Sequence, residues 1–241
     1  MIKNKSFMKA LILAGGKGTR LYPVTLETPK PLLTVRKKPI INYLVELFLE
    51  QGMHDIGVMI NTEHKDDFAW WYKRWWDDYP IRFFEETEPM GTFGGIVGAA
   101  HWLRADPAFF VTNGDELKRV DLKAMRTFHD EHQGPATIAL VEVPRPQDYG
   151  VAVMDGMRIK DFLEKPQNPP SKLVSSGLYL FTPEIFDYYN FSTFKPAMVE
   201  QDLFPKLAEE GRLYGFPYEG AWHDCGTFER WNEAIKNWPE G

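Results

Sequence analysis

Residues 9–14 (Lys-Ala-Leu-Ile-Leu-Ala) form a short, nearly unbroken apolar run that ends in glycines. Such a run predicts a strand covered on both faces of a parallel sheet, with chemistry expected at its carboxyl end. From Ile40 the apolar positions switch to helical spacing, at Ile40, Ile41, Leu44, Val45 and Phe48, and Gly52 marks a stop. Residues 55–61 are apolar again, which completes a strand–helix–strand crossover. The alternation repeats, with 81–84 predicting a strand, 95–103 a helix, and 108–112 a strand that runs into Asn113-Gly114-Asp115.

The second half reads differently. Residues 136–143 are strand-like, and 151–154 joins 158–163 through Asp155-Gly156, a hairpin signal. A proline-bearing loop over 167–171, a strand over 173–181, a helix with Pro183 in its first turn, a strand over 213–217 and a helix over 228–238 follow. The predicted fold class is α/β: a doubly wound, Rossmann-like, mostly parallel mixed sheet flanked by helices, with an antiparallel hairpin excursion in the second half. With no internal repeat, residues 1–241 read as one domain.

Residues 68–76 (Phe-Ala-Trp-Trp-Tyr-Lys-Arg-Trp-Trp) are unusually aromatic. Trp71 and Trp75, and likewise Tyr72 and Trp76, lie four apart, so an amphipathic helix packed on the sheet is one reading. The other is an association surface, which leaves room for a homo-oligomer.

A chain of 241 residues, 44% hydrophobic, can bury one substantial core. A formal charge of -6 and a pI near 5.6 provide no field attractive to phosphate polymers, which argues against a nucleic-acid partner. The lone cysteine, Cys225, cannot form an internal disulfide and fits a reducing compartment. Residues 1–7 lack the apolar core of a secretory leader, and no later run is long enough to span a bilayer, so a cytoplasmic protein is expected with no membrane partner.

The strongest chemical signal follows the first strand: Gly15-Gly16-Lys17-Gly18-Thr19-Arg20-Leu21, then Pro23, Thr25 and Pro29-Lys30-Pro31. Glycines let backbone amides approach a polyphosphate, and nearby basic side chains offset charge on a departing group. The spacing fits neither a P-loop nor the dinucleotide fingerprint, which would need a glycine or alanine where Leu21 stands. A loop whose glycines only make a tight turn is the plainer alternative, weakened by the company of Arg20 and Lys30.

This signature, Gly-Gly-x-Gly-Thr-Arg-Leu-x-Pro-x-Thr followed by Pro-Lys-Pro, resembles that of the sugar-phosphate nucleotidyltransferases, the family of mannose-1-phosphate guanylyltransferase and glucose-1-phosphate thymidylyltransferase. The resemblance runs from Lys9 to about Gly226 and implies a nucleotide-binding half over about 8–120 and a sugar-phosphate-binding half over about 121–241. It implies that Ala14, Gly15, Gly16, Gly18 and Thr19 cradle the nucleotide, that Arg20 binds the β and γ phosphates, and that Lys30 contacts the reaction centre. No acyltransferase or left-handed β-helix segment follows, as occurs in some relatives, which points to a single activity.

Chemistry on a nucleoside triphosphate calls for Mg²⁺, a hard cation that prefers carboxylate oxygens. Asp115, directly after an apolar strand and beside Gly114, is the first candidate ligand. Asp224 lies in Trp222-His223-Asp224-Cys225-Gly226-Thr227, which resembles the family's Trp-x-Asp-x-Gly-Thr pattern and implies the second. Either Asp alone reads equally as a turn or cap residue. His223 and Cys225 occupy variable places in the pattern and are expected to pack.

Glu88-Pro89-Met90-Gly91-Thr92-Phe93-Gly94-Gly95 resembles the family's Leu-Gly-Thr-x-Gly segment, which implies a nucleobase and ribose pocket at Glu88, Gly91 and Thr92, while Gly114, beside Asp115, would let the triphosphate come near. Tyr149-Gly150-Val151 and Phe162-Leu163-Glu164-Lys165-Pro166 resemble its sugar-side motifs, implying that Gly150 and Glu164 hold the sugar and Lys165 its phosphate. Ser176 and Gly177 fall where the family has an Asn-x-Gly segment, with serines in place of asparagine.

The reaction these readings imply is in-line attack of a sugar 1-phosphate on the α-phosphorus of a nucleoside triphosphate, with Arg20, Lys30 and Asp115 catalytic, Mg²⁺ as cofactor and pyrophosphate released. The Gly-Thr-x-Gly-Gly form leans toward guanylyl transfer to a mannose- or heptose-type sugar phosphate, because thymidylyl relatives often carry a glutamine in this region. Thymidylyl, uridylyl or cytidylyl transfer, and a non-catalytic regulatory subunit of the same fold, are the alternatives.

Overall fold

The computed structural model describes residues 8–132 and 134–239, so the reading of residues 1–7 as leaderless lies outside the described residues. β1 (Lys9–Leu13) leads through the glycine loop to the short α1 (Val24–Glu27), then to the two-residue strands β2 (Thr34–Val35) and β3 (Lys38–Pro39). Next come α2 (Ile40–Glu50), β4 (Asp55–Asn61), α3 (Lys65–Trp75) and β5 (Ile81–Glu86). The helices α4 (Gly91–Gly98) and α5 (Ala100–Leu103) return the chain to β6 (Phe109–Asn113), β7 (Glu116–Lys118) and α6 (Leu122–His132). The remainder is β8 (Ala136–Glu142), β9 (Gly150–Asp155), β10 (Arg158–Glu164), β11 (Leu173–Phe181), α7 (Phe204–Glu209), β12 (Leu213–Pro217), β13 (Trp222–Asp224) and α8 (Phe228–Asn237).

Nine strands form one sheet in the order β5-β4-β1-β6-β11-β8-β12-β10-β9. The block β5-β4-β1-β6 is parallel, as the crossovers require, and β8 and β12 form a further parallel pair. The other pairings are antiparallel, so the mixed character lies almost wholly in the second half. The hairpin at Asp155-Gly156 forms as expected, and β9 also touches β11 at Val151 and Val174.

Both sheet faces are covered, which explains the uninterrupted apolar run of β1. Ala10 and Ile12 pack with Ile41, Leu44, Val45 and Phe48 of α2 on one face, while Leu11 packs with Phe93, Ile96 and Val97 of α4 on the other. After β1 the chain steps outward through β4 to β5, then returns to lay β6 on the opposite side of β1. That reversal of strand order leaves a crevice beyond the carboxyl ends of β1 and β6, where α/β sheets bind ligands.

Three expectations need adjusting. The helix expected over 95–103 starts at Gly91 and breaks between Gly98 and Ala100, and the segment at Pro183 is a 3₁₀ turn over Pro183–Tyr188. In α3 the buried stripe is Phe68 and Trp71, flanked by Tyr72, with the Trp71 indole donating to Asn42 Oδ1 at 2.6 Å, while Trp70 is 68% exposed and Trp75 also faces outward. Trp71 and Trp75 therefore do not share a fate: the sheet meets the face that holds Phe68, Trp71 and Tyr72, the last two against Phe83 of β5.

Candidate nucleotide and sugar-phosphate site

A cleft of about 480 Å³ opens at that reversal point, lined by the loops after β1, β5 and β6, the turn before β9, the end of β10 and the start of α8. Ala14, Gly15, Gly16, Gly18, Thr19, Arg20 and Lys30 all line it. The Gly18 backbone is left-handed (φ 62°), and the Thr25 hydroxyl donates to its carbonyl at 2.8 Å, so a side chain at Gly18 would be both strained and crowded against Thr25. Lys30 is buried below the loop and is ion-paired with Asp115 Oδ2. Burial alone would lower the Lys30 pKa, but the Asp115 carboxylate, with Asp224 behind it, lifts it above the ordinary lysine value. Burial works against the Asp115 charge too, yet Lys30 beside it holds that carboxyl below the usual range.

Asp115 lies mid-chain and Asp224 near the carboxyl end, and the two meet through a ladder that local patterning does not announce. β13 pairs antiparallel with β7, setting Asp224 opposite Glu116, and the Cys225 amide donates to the Asp115 carbonyl at 3.1 Å. Both carboxylates line the same cleft. Asp224 Oδ1 accepts the Gly226 amide at 2.6 Å and Oδ2 accepts Arg230 at 2.6 Å. A Cβ on Gly226 would lie 2.7 Å from Asp224 Oδ1 and 2.9 Å from the Arg20 guanidinium, so the glycine is what lets these groups crowd together. As expected, Cys225 is core and His223 packs against the Trp238 ring.

Beneath the aspartates lies a buried polar floor. The Lys118 ammonium, wholly enclosed, donates to Ser176 O at 2.7 Å and Thr112 Oγ1 at 2.9 Å, and stands 3.4 Å from Glu116 Oε2. Glu116 also accepts from the Trp222 indole at 2.8 Å and from Asn113 Nδ2 at 3.1 Å. Burial pushes the Glu116 carboxyl up to about 7, although Lys118 opposes the rise.

Of the residues expected to meet the base, Gly91 and Thr92 line the cleft but Glu88 does not; it is exposed, and Glu86, at the end of β5, occupies the wall instead. The strand ends at Glu86, whose side chain still reaches the cleft wall, and the turn beyond it carries residue 88 outward. A Cβ on Gly15 would fall 2.3 Å from Glu86 Oε1, while Glu86 Oε2 is buried with no partner among the described residues. Burial raises the Glu86 pKa, partly offset by the Met90 amide. The Thr92 hydroxyl donates to Glu200 Oε2 at 2.9 Å, and the Phe93 and Gly94 amides are taken by the Ala197 carbonyl, so this turn is stitched to residues 197–200.

Of the residues expected to hold the sugar phosphate, Gly150, Glu164, Lys165 and Gly177 line the cleft. Ser176 does not: it is fully buried and donates to the Ala139 carbonyl at 3.0 Å, while Ser175 faces the cleft, because alternate strand residues point to opposite faces. Gly114 is likewise not a lining residue; its amide donates to the Leu13 carbonyl at 2.8 Å, and its missing side chain lets the loop after β6 lie against β1. Glu86, Glu116, Glu200 and Arg230 line the cleft without having been singled out in the sequence. The alternation of β5 could have located Glu86; Glu200 and Arg230 sit in stretches whose patterning shows only packing.

A strand-order reversal that presents a glycine loop to two convergent carboxylates belongs to the α/β nucleotide-binding proteins. Residues 9–240 match the family model described as Nucleotidyl transferase, and the chain belongs to that family. Over 225 residues it is 37% identical to Mannose-1-phosphate guanyltransferase of Saccharomyces cerevisiae and 38% identical to Mannose-1-phosphate guanyltransferase 2 of Candida glabrata. These alignments take in 91% of this chain and 61% of each relative, so the chain spans about three-fifths of their length. Among solved structures, a putative glucose-1-phosphate thymidylyltransferase from Bacillus anthracis in complex with sucrose superposes with a TM-score of 0.86 at 25% identity, covering 95% of this chain and 94% of that one. HddC from Yersinia pseudotuberculosis complexed with GMP-PN gives 0.80 at 27% identity, covering 96% and 100% respectively. The expected sugar-phosphate nucleotidyltransferase family and its α/β fold are both borne out.

Proposed function

We propose that the protein transfers a guanylyl group from GTP to a mannose-type sugar 1-phosphate and releases pyrophosphate. The observation that carries this reading is the convergence of Asp115 and Asp224 with Lys30 and Arg20 at the reversal point of the sheet. The two carboxylates suit a magnesium ion, which takes one or two protein carboxylates and fills its shell with water and phosphate oxygens. Lys30 holds Asp115 in the ionised form that a metal ligand requires, and Arg230 fixes the orientation of Asp224. When bound, the metal would draw charge from the triphosphate.

An acceptor phosphate oxygen is already anionic, so no general base is needed. The new bond joins it to the α-phosphorus, the α–β bridging bond breaks, and its electron pair leaves on pyrophosphate. Arg20 offsets charge on the departing β and γ groups, Lys30 does so at the reaction centre, and Glu164 and Lys165 position the sugar and its phosphate. Glu86 supports guanine as the base. An acceptor-only carboxylate can take both of guanine's adjacent donors, N1–H and N2–H₂, whereas thymine, uracil and cytosine each offer a single donor group on that edge, the rest being acceptors. One cysteine, buried and unpaired, accords with action in the cytoplasm.

Pyrophosphate release, assayed across GTP, ATP, CTP, UTP and dTTP with a panel of sugar 1-phosphates, tests this reading. GTP with mannose 1-phosphate should give the highest kcat/KM. Preference for a pyrimidine nucleotide would overturn the base assignment, and silence with every pair would overturn the activity.

A further inference from the structure

We infer that Arg230 is a binding residue of the acceptor subsite, where its guanidinium grips the phosphate of the sugar 1-phosphate. The inference rests on the reaction proposed above and adds to it a residue that no motif marks.

Arg230 stands in the first turn of α8, where the Thr227 side chain caps the helix and accepts the Arg230 amide. Its side chain reaches back over the cleft, 21% exposed, and spans two acids: it donates to Asp224 Oδ2 at 2.6 Å and to Asp148 Oδ2 at 2.7 Å. The guanidinium lies 4.7 Å from the centre of the Tyr149 ring, which fixes its plane. Two of its five N–H groups are thereby used, and the planar fork retains donors for a third anion.

Its neighbours indicate which anion. The Tyr149 carbonyl accepts the Lys165 amide at 3.0 Å, and Gly150 pairs with Glu164, so Arg230 lies against the sugar-side wall. Lys30 and Arg20 approach from the loop after β1. The acceptor phosphate must come close to another phosphate, and Lys165 by itself is a weak counter-charge: its side chain is 57% exposed and held by Glu164 at 3.1 Å. An exposed carboxylate such as Asp148 binds a guanidinium only weakly, so its place on the fork can pass to a phosphate oxygen while Asp224 keeps the other arm.

The test compares Arg230→Met and Arg230→Lys with the parent enzyme, using the nucleotide and sugar 1-phosphate that the parent turns over best and varying each substrate in turn. Losing charged hydrogen bonds to the acceptor should raise its KM about tenfold or more in Arg230→Met, with the nucleotide KM held within about threefold. Arg230→Lys, which keeps the charge without the fork, should recover part of the loss and covers the case in which the methionine variant fails to fold. Equal shifts in both KM values, or a lowered melting temperature with the acceptor KM unchanged in both variants, would reduce Arg230 to a brace and overturn the assignment alone. A parent enzyme silent with every pair would overturn the proposed activity, and this assignment with it.

Discussion

Replacing Lys118 with methionine tests how the floor under the two aspartates is held. The ammonium is fully enclosed and serves Ser176 O, Thr112 Oγ1 and, at longer range, Glu116. Methionine fills much the same volume but leaves a carbonyl, a hydroxyl and a carboxylate facing an apolar chain. With Glu116 ionised, breaking a buried pair in this way should cost about 3–5 kcal/mol. The loss should depend on pH. Burial already pushes the Glu116 carboxyl up to about 7, and without Lys118 it must rise further. A carboxyl whose folded pKa lies above its unfolded value supports stability below the unfolded value and loses that support as pH climbs through the folded one. Near pH 5, where Glu116 is protonated in parent and variant alike, only the hydrogen bonds to Ser176 and Thr112 are lost, at about 1–3 kcal/mol. Urea unfolding at pH 5 and pH 8 measures both values. The double variant Lys118→Met/Glu116→Gln should be more stable than Lys118→Met at pH 8 by about 1–3 kcal/mol. An equal loss at the two pH values, with no recovery in the double variant, would refute the assignment of the cost to an unpaired carboxylate.

Three more expectations follow from the same geometry. Asp115→Asn or Arg20→Ala should lower turnover by about a thousandfold while circular dichroism stays parental, and near-normal rates in either would remove that residue from the chemistry. His129 is buried against the Thr137 hydroxyl at 2.8 Å, and burial lowers its pKa to about 4. Because the folded value lies below the unfolded one, its support is complete above about pH 6.5 and fades by up to about 3 kcal/mol as pH falls toward 4; His129→Gln should flatten that part of the urea-derived stability curve. Within α3, Trp71→Ala should destabilise by about 3–5 kcal/mol and the exposed Trp70→Ala by less than about 0.5 kcal/mol, a contrast that thermal unfolding resolves.

Periodicity along the chain determined the parallel core by itself. The apolar run of β1 and the helical spacing of α2 report burial that each element carries locally, since a strand covered on two faces cannot alternate. The glycine loop was legible too, because its left-handed turn at Gly18 and the close packing of Gly15 on Glu86 and of Gly18 on Thr25 demand residues without a Cβ. Tertiary structure decided the rest. β7 and β13 are three residues each and pair across more than a hundred residues of chain, so no local pattern could show that residues 116 and 224 stand opposite one another. Whether Ser175 or Ser176 meets the cleft turns on the phase of one strand, where a single step exchanges the two faces, and Glu86 reaches it in place of Glu88 because β5 ends at residue 86. Arg230 shows the same limit: its helix reads as packing, and only the fold brings its guanidinium between Asp148, Tyr149 and Asp224.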